Sequence, residues 1–135
     1  MLKKSKTLPR IVIDETLVGH LEELASGASE RAPDLADRLL TELSRARLVA
    51  PNRMPPNVVT IGNRVSYRDM ATGEERDVAL VFPEEADIAQ GRVSVLTPIG
   101  VALLGLSVGA RFTWQTRSGE TKELTVMQVH PADAG

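Results

Sequence analysis

The residues best suited to chemistry in this 135-residue chain are two carboxylates three positions apart, Asp34 and Asp37. Side chains at i and i+3 of a helix lie on one face, so both carboxylates could point at one divalent cation. The same acids would also complement the positive N-terminal end of a helix and cap its N–H groups. The second interpretation describes acids at most helix starts, and the sequence leaves both open.

Other groups that could do chemistry are few and scattered. The two histidines, His20 and His130, are far apart in the sequence and form no cluster. Cysteine is absent, which excludes disulfides, thiolate metal sites and cysteine catalysis. We therefore expect no cofactor, no bound metal and no enzymatic activity of the chain itself. Because no apolar run is long enough to span a membrane, we also expect a cytoplasmic protein.

Composition and charge favour a globular protein that binds another protein. The chain is 42% hydrophobic and 25% charged, which suits a packed core. Its net charge of −2 lacks the positive field that drives direct binding to nucleic acid. We therefore predict no strong nucleic-acid binding and no membrane contact, and we expect a protein partner.

Asp34 and Asp37 lie at the start of the second of two predicted helices. Apolar residues spaced three and four apart predict one helix after Asp14 and another that begins at Pro33. The short connection between them predicts an antiparallel hairpin with its tip near residues 26–33. We therefore assign residues 1–50 to an N-terminal helical hairpin, a short coiled coil, and the Pro-rich residues 51–57 to a linker.

Beyond the linker the apolar period changes to two, which is typical of strands. The helix predicted in this half begins at Thr97 as N-cap and Pro98 as the first helical residue. The predicted fold is therefore α+β, with residues 58–135 forming an antiparallel β-domain around one short helix. The predicted strands are 58–61, 64–69, 76–82, 91–96, 111–116 and 123–129.

The most specific stretch of the chain is GRVSVLTPIGVALLGLSVG, residues 91–109. It resembles the signature of the C-terminal domain of GreA/GreB transcription factors. Residues 54–60, 71–74 and 80–87 strengthen the match. Joined to a shortened helical hairpin, this domain resembles one branch of the family, the regulator of nucleoside diphosphate kinase. The resemblance extends over residues 11–130.

The resemblance implies an FKBP-like C-terminal domain that docks on RNA polymerase at the rim of its secondary channel. The docking segment of Gre factors reads Asp-Ser-Pro, and the matching positions here are Leu96, Thr97 and Pro98. The coiled coil of Gre factors enters the channel and presents acids at its tip, which help hold a catalytic Mg²⁺. Asp34 and Asp37 take a comparable place in this chain.

The expected length of the hairpin distinguishes between the functions that the resemblance allows. Two helices of about fifteen residues reach about 22 Å, roughly half of what the resemblance implies for Gre factors. We therefore expect a transcription elongation regulator that binds RNA polymerase and competes with Gre factors without catalysing cleavage. Any effect on nucleoside diphosphate kinase would then be indirect.

Two alternative functions follow from the same resemblance. The first is a true cleavage factor, in which Asp34 and Asp37 hold Mg²⁺ in the polymerase active centre. The second is prolyl isomerase activity, taken from the FKBP-like fold alone. It is the weakest of the three, because a fold does not transfer its function.

Overall fold

The computed structural model describes residues 9–116 and 118–131, which form a mixed α+β fold. The α+β class predicted from the sequence is therefore confirmed. In the described part of the chain, the α-helices are α1 (Val18–Ala28), α2 (Pro33–Arg45) and α3 (Pro98–Leu103). The strands are β1 (Val12–Asp14), β2 (Arg47–Val49), β3 (Arg64–Asp69), β4 (Glu75–Val81), β5 (Arg92–Ser94), β6 (Arg111–Gln115) and β7 (Thr121–His130).

Helices α1 and α2 pack against each other and form what we call the helix pair. The Asp14 carboxylate accepts a hydrogen bond from the N–H of Thr16 (2.9 Å) and caps the 3₁₀ turn that leads into α1. Pro33 occupies the first turn of α2, where its missing N–H costs no helical hydrogen bond. Strands β1 and β2 flank the pair and run parallel to each other.

The remaining strands form one sheet in the order β5-β4-β3-β7-β6. Strands β3, β4, β6 and β7 pair antiparallel, whereas β5 runs parallel to β4. The prediction of an antiparallel domain is therefore wrong for β5. Two 3₁₀ turns, Pro83–Glu85 and Ile88–Gln90, return the chain so that β5 runs beside the last three residues of β4, 79–81.

The strand predicted at residues 58–61 does not form. Val58 makes an isolated bridge with Ser107, and Val59 exchanges backbone hydrogen bonds with the turn after α3. The Asn63 side chain accepts from the N–H of Thr60 (2.8 Å) and closes a turn at this point. Val58 and Val59 are therefore buried and bonded to the turn after α3, and the segment is not part of the sheet.

The helix pair and the sheet share a single hydrophobic core. Gly105 lies at the centre of this junction, because a Cβ there would be 2.8 Å from the Cβ of Ile11. Its carbonyl accepts the N–H of Val12 (3.1 Å), and its φ of +83° is one that glycine adopts without strain. The end of α3 is thereby joined to β1 at the base of the helix pair.

Candidate functional site

Hydrogen bonds of the Thr97 side chain fix the backbone of the predicted docking segment, residues 96–98. Its hydroxyl donates to the carbonyl of Ser94 (2.7 Å) and accepts from the N–H of Gly100 (3.0 Å). Thr97 is therefore the N-cap of α3, and Pro98 is the first helical residue, as the sequence predicts. The Ser94 hydroxyl accepts the N–H of Leu96 (2.9 Å), so two short hydrogen-bonded turns hold the segment rigid.

The three residues of the predicted docking segment differ in what they present to solvent. Leu96 is half-buried and packs against the core. Thr97 is also half-buried, and its hydroxyl is engaged with Ser94 and Gly100 within the chain. Pro98 is exposed, so its ring is the part of the segment most available to a partner.

The predicted tip acids lie in the first two turns of α2. Asp34 and Asp37 are both exposed. With Pro98 and Trp114 they line one open cavity of about 820 Å³ between the start of α2 and the end of β6. The structure thus brings the tip and the docking segment together, which no pattern in the sequence indicates.

The described residues hold no group of three or more His, Asp or Glu side chains arranged to bind a metal ion. His20 packs edge-on against the ring of Phe82, with ring centroids 4.4 Å apart. His130 is the last residue of β7. The tip acids therefore offer at most two carboxylate ligands, and further ligands for Mg²⁺ would have to come from a partner.

Arg38 is a residue of this site that was not predicted from the sequence. Its Nη2 donates to the carbonyl of Pro98 (3.2 Å). Its guanidinium carbon lies 5.4 Å from the ring centroid of Trp114 and 6.0 Å from that of Phe112. Burial lowers the pKa of Arg38 from its usual value, and the nearby charge of Glu42 opposes that shift. No sequence signal marked Arg38, because its partners are about sixty to eighty positions away.

A second, smaller groove lies between α3 and the sheet, next to the first. It has a volume of about 230 Å³ and a mainly apolar lining that includes Tyr67, Ile99, Trp114 and Leu124. Burial raises the pKa of the Tyr67 phenol; the charge of Arg76 opposes that shift, and Asp69 adds to it. The two openings share Pro98, Trp114 and Thr116 in their linings, so they are adjacent.

Comparison with known families gives matches over both halves of the chain. Residues 54–131 match the family described as "Transcription elongation factor, GreA/GreB, C-term". Residues 9–49 match the family described as "Rnk N-terminus". No helix in the described residues is long and apolar enough to cross a membrane.

Individual relatives agree with these family matches. The regulator of nucleoside diphosphate kinase of Escherichia coli K12 is 34% identical over 129 residues, which cover 94% of this chain and 95% of that protein. The transcription elongation factor GreA of Thermodesulfovibrio yellowstonii is 39% identical over 75 residues, 56% of this chain and 48% of that protein.

A solved structure shows the same fold. The prokaryotic transcription elongation factor GreA/GreB from Nitrosomonas europaea superposes with a TM-score of 0.69 at 34% identity. The superposition covers 90% of this chain and 98% of that one. The agreement therefore includes the helix pair as well as the sheet.

Proposed function

Because the chain belongs to the GreA/GreB family, in the branch that includes the regulator of nucleoside diphosphate kinase, we propose that it binds RNA polymerase near the secondary channel and competes there with Gre factors. The match over both halves of the chain supports polymerase as the partner. The transcript cleavage that Gre factors stimulate is not part of this proposal. A changed level of nucleoside diphosphate kinase would be an indirect result of altered transcription.

The observation that supports a function without transcript cleavage is the short length of the helix pair. Helix α1 has 11 residues and α2 has 13. At 1.5 Å per residue they measure about 17 and about 20 Å, less than half of what the resemblance implies for a Gre coiled coil. Ligands must lie within about 2.5 Å of a metal ion to bind it. A protein that docks as Gre factors do would therefore occupy the channel without reaching the catalytic metal.

The test is a competition measured on RNA polymerase with a fluorescently labelled GreA. We expect the purified protein to displace labelled GreA and to leave stalled elongation complexes uncleaved. In a mixture with unlabelled GreA, it should slow GreA-stimulated cleavage in proportion to its occupancy. Failure to displace GreA at any attainable concentration would overturn the proposal.

The docking segment can be tested with Pro98→Ser, which changes its exposed residue. Because this ring is the part of the segment that faces solvent, we expect about tenfold weaker competition, equivalent to about 1.4 kcal/mol of lost contact. The matched control is Leu48→Ser, because Leu48 is an exposed apolar residue (46%) of β2. Equal competition by both variants would exclude Pro98 as a contact.

The exposed positions of Asp34 and Asp37 favour a second candidate, a Gre-type cleavage factor whose tip acids hold Mg²⁺ together with polymerase groups. A stalled-complex cleavage assay separates the two functions. Cleavage stimulated by the wild-type protein and lost in Asp34→Ala/Asp37→Ala would establish the second candidate. No stimulation by the wild-type protein would eliminate it.

A further inference from the structure

One charged side chain, Arg38 of α2, connects the first turns of the helix pair to the sheet domain. It combines the hydrogen bond to the Pro98 carbonyl with cation–π contacts to the rings of Trp114 and Phe112. The Arg38 side chain is half-buried, whereas its hydrogen bond to the Pro98 carbonyl is exposed to solvent. The contact is also the point where α2 meets the start of α3.

The position of Arg38 in α2 couples this contact to the acids. Arg38 follows Asp37 directly and lies one helical turn beyond Asp34. We propose that Arg38 is a positioning residue. It holds the acidic start of α2 and Pro98 on one face, so that RNA polymerase contacts both together. This inference rests on the proposed function, because it concerns how that docking surface is assembled.

The chemistry of the contact requires arginine. A planar guanidinium stacks on an aromatic face and donates in its own plane at the same time, whereas the point charge of lysine does not do both. Arg31 lines the same cavity, yet its Nη1 donates to the carbonyl of Gly27 within the helix pair (3.4 Å). Arg31 is therefore a matched cation that does not connect the two parts.

The absence of cysteine allows a direct measurement of the contact. Spin labels at Glu30→Cys and Glu120→Cys would report the distance between the α1–α2 connection and the β6–β7 turn, because both positions are exposed. In this background we expect a single narrow distance distribution. Arg38→Met keeps the apolar stem but not the guanidinium. It should increase by about tenfold the fraction of molecules whose label-to-label distance lies outside the main peak.

Two further variants make this measurement specific. Arg38→Lys retains charge and stem, and should broaden the distribution because it lacks the planar group. Arg31→Met should leave the distribution narrow. A narrow, unchanged distribution in Arg38→Met would overturn the inference, because packing by the stem alone would then be sufficient.

A second measurement links the contact to the partner. In the competition with labelled GreA, Arg38→Met should require about tenfold more protein than wild type. Arg64→Met should not, because Arg64 is an exposed residue of β3 that does not line either opening. An Arg38→Met variant with a broad distance distribution and unchanged competition would refute the positioning role. If the wild-type protein itself failed to compete, the proposed function would fall, while the spin-label distances would still decide the Arg38 contact.

Discussion

Gly100 of α3 lies so close to the backbone before it that the addition of one methyl group should strongly destabilise the protein. The Cβ of an alanine there would lie 2.2 Å from the carbonyl oxygen of Ser94. It would also lie 2.7 Å from the Cα and 2.9 Å from the carbonyl carbon of Val95. All three atoms belong to the backbone, so no side-chain rotation relieves the overlap. Helix α3 would have to move away from β5 by at least about 1 Å to restore ordinary contact.

Two effects of opposite sign determine the stability of Gly100→Ala. Alanine is favoured over glycine in a helix interior by about 1 kcal/mol. Overpacking of a filled site costs about 1–3 kcal/mol, and the displaced helix would also lose the hydrogen bonds of Thr97, worth about 1 kcal/mol each. We therefore expect a net loss of about 2–4 kcal/mol in the free energy of unfolding.

Urea unfolding followed by the fluorescence of Trp114, the single tryptophan, measures this loss. The matched control is Gly27→Ala in α1, where an added Cβ meets no atom within 4 Å. That variant should be more stable than wild type by up to about 1 kcal/mol. A Gly100→Ala protein as stable as wild type would refute the close approach of α3 to the 94–95 backbone.

Three further predictions concern stability. Thr97→Ala should cost about 1–2 kcal/mol in urea unfolding through loss of the α3 cap, and Thr97→Ser should restore most of it. Arg45→Ala should cost about 3 kcal/mol, because it leaves the buried carboxylate of Glu42 without its 2.6 Å partner; Arg45→Met/Glu42→Met should recover most of this. Burial raises the pKa of Tyr67 above its ordinary 10.0. The neutral phenol therefore contributes its full stabilisation of the fold below pH about 10, and this stabilisation is lost as pH rises through the pKa of the folded state. Urea midpoints measured from pH 8 to 11 should therefore fall less steeply in Tyr67→Phe than in wild type.

Features that depend on neighbouring residues were predictable from the sequence. The N-cap Thr97 and the first-turn Pro98 define the start of α3, because capping needs only the next three residues. The strand predicted at 64–69 has the same bounds as β3. Gly105, just after the end of α3, has the positive φ that glycine adopts without strain.

Features that depend on distant residues were not predictable in this way. Residues 58–61 have a strand-like composition, but their hydrogen-bond partners lie in the turn after α3 and not in the sheet. Strand β2 immediately follows α2, and its pairing with β1 joins residues more than thirty positions apart. Arg38 belongs to the site through contacts with Pro98, Phe112 and Trp114, which only the tertiary fold brings near.

The limited length of α2 accounts for both the short helix pair and the contact of Arg38 with Pro98. Pro98, at the start of α3, lines one cavity with the first residues of the 13-residue α2, and Gly105, just after α3, contacts β1. A pair twice as long would carry its acidic tip about 20 Å beyond α3. Its acids would then lie far from Pro98. The short α2 therefore places Asp34, Asp37 and Pro98 around one cavity, where a longer helix pair would separate the acids from Pro98.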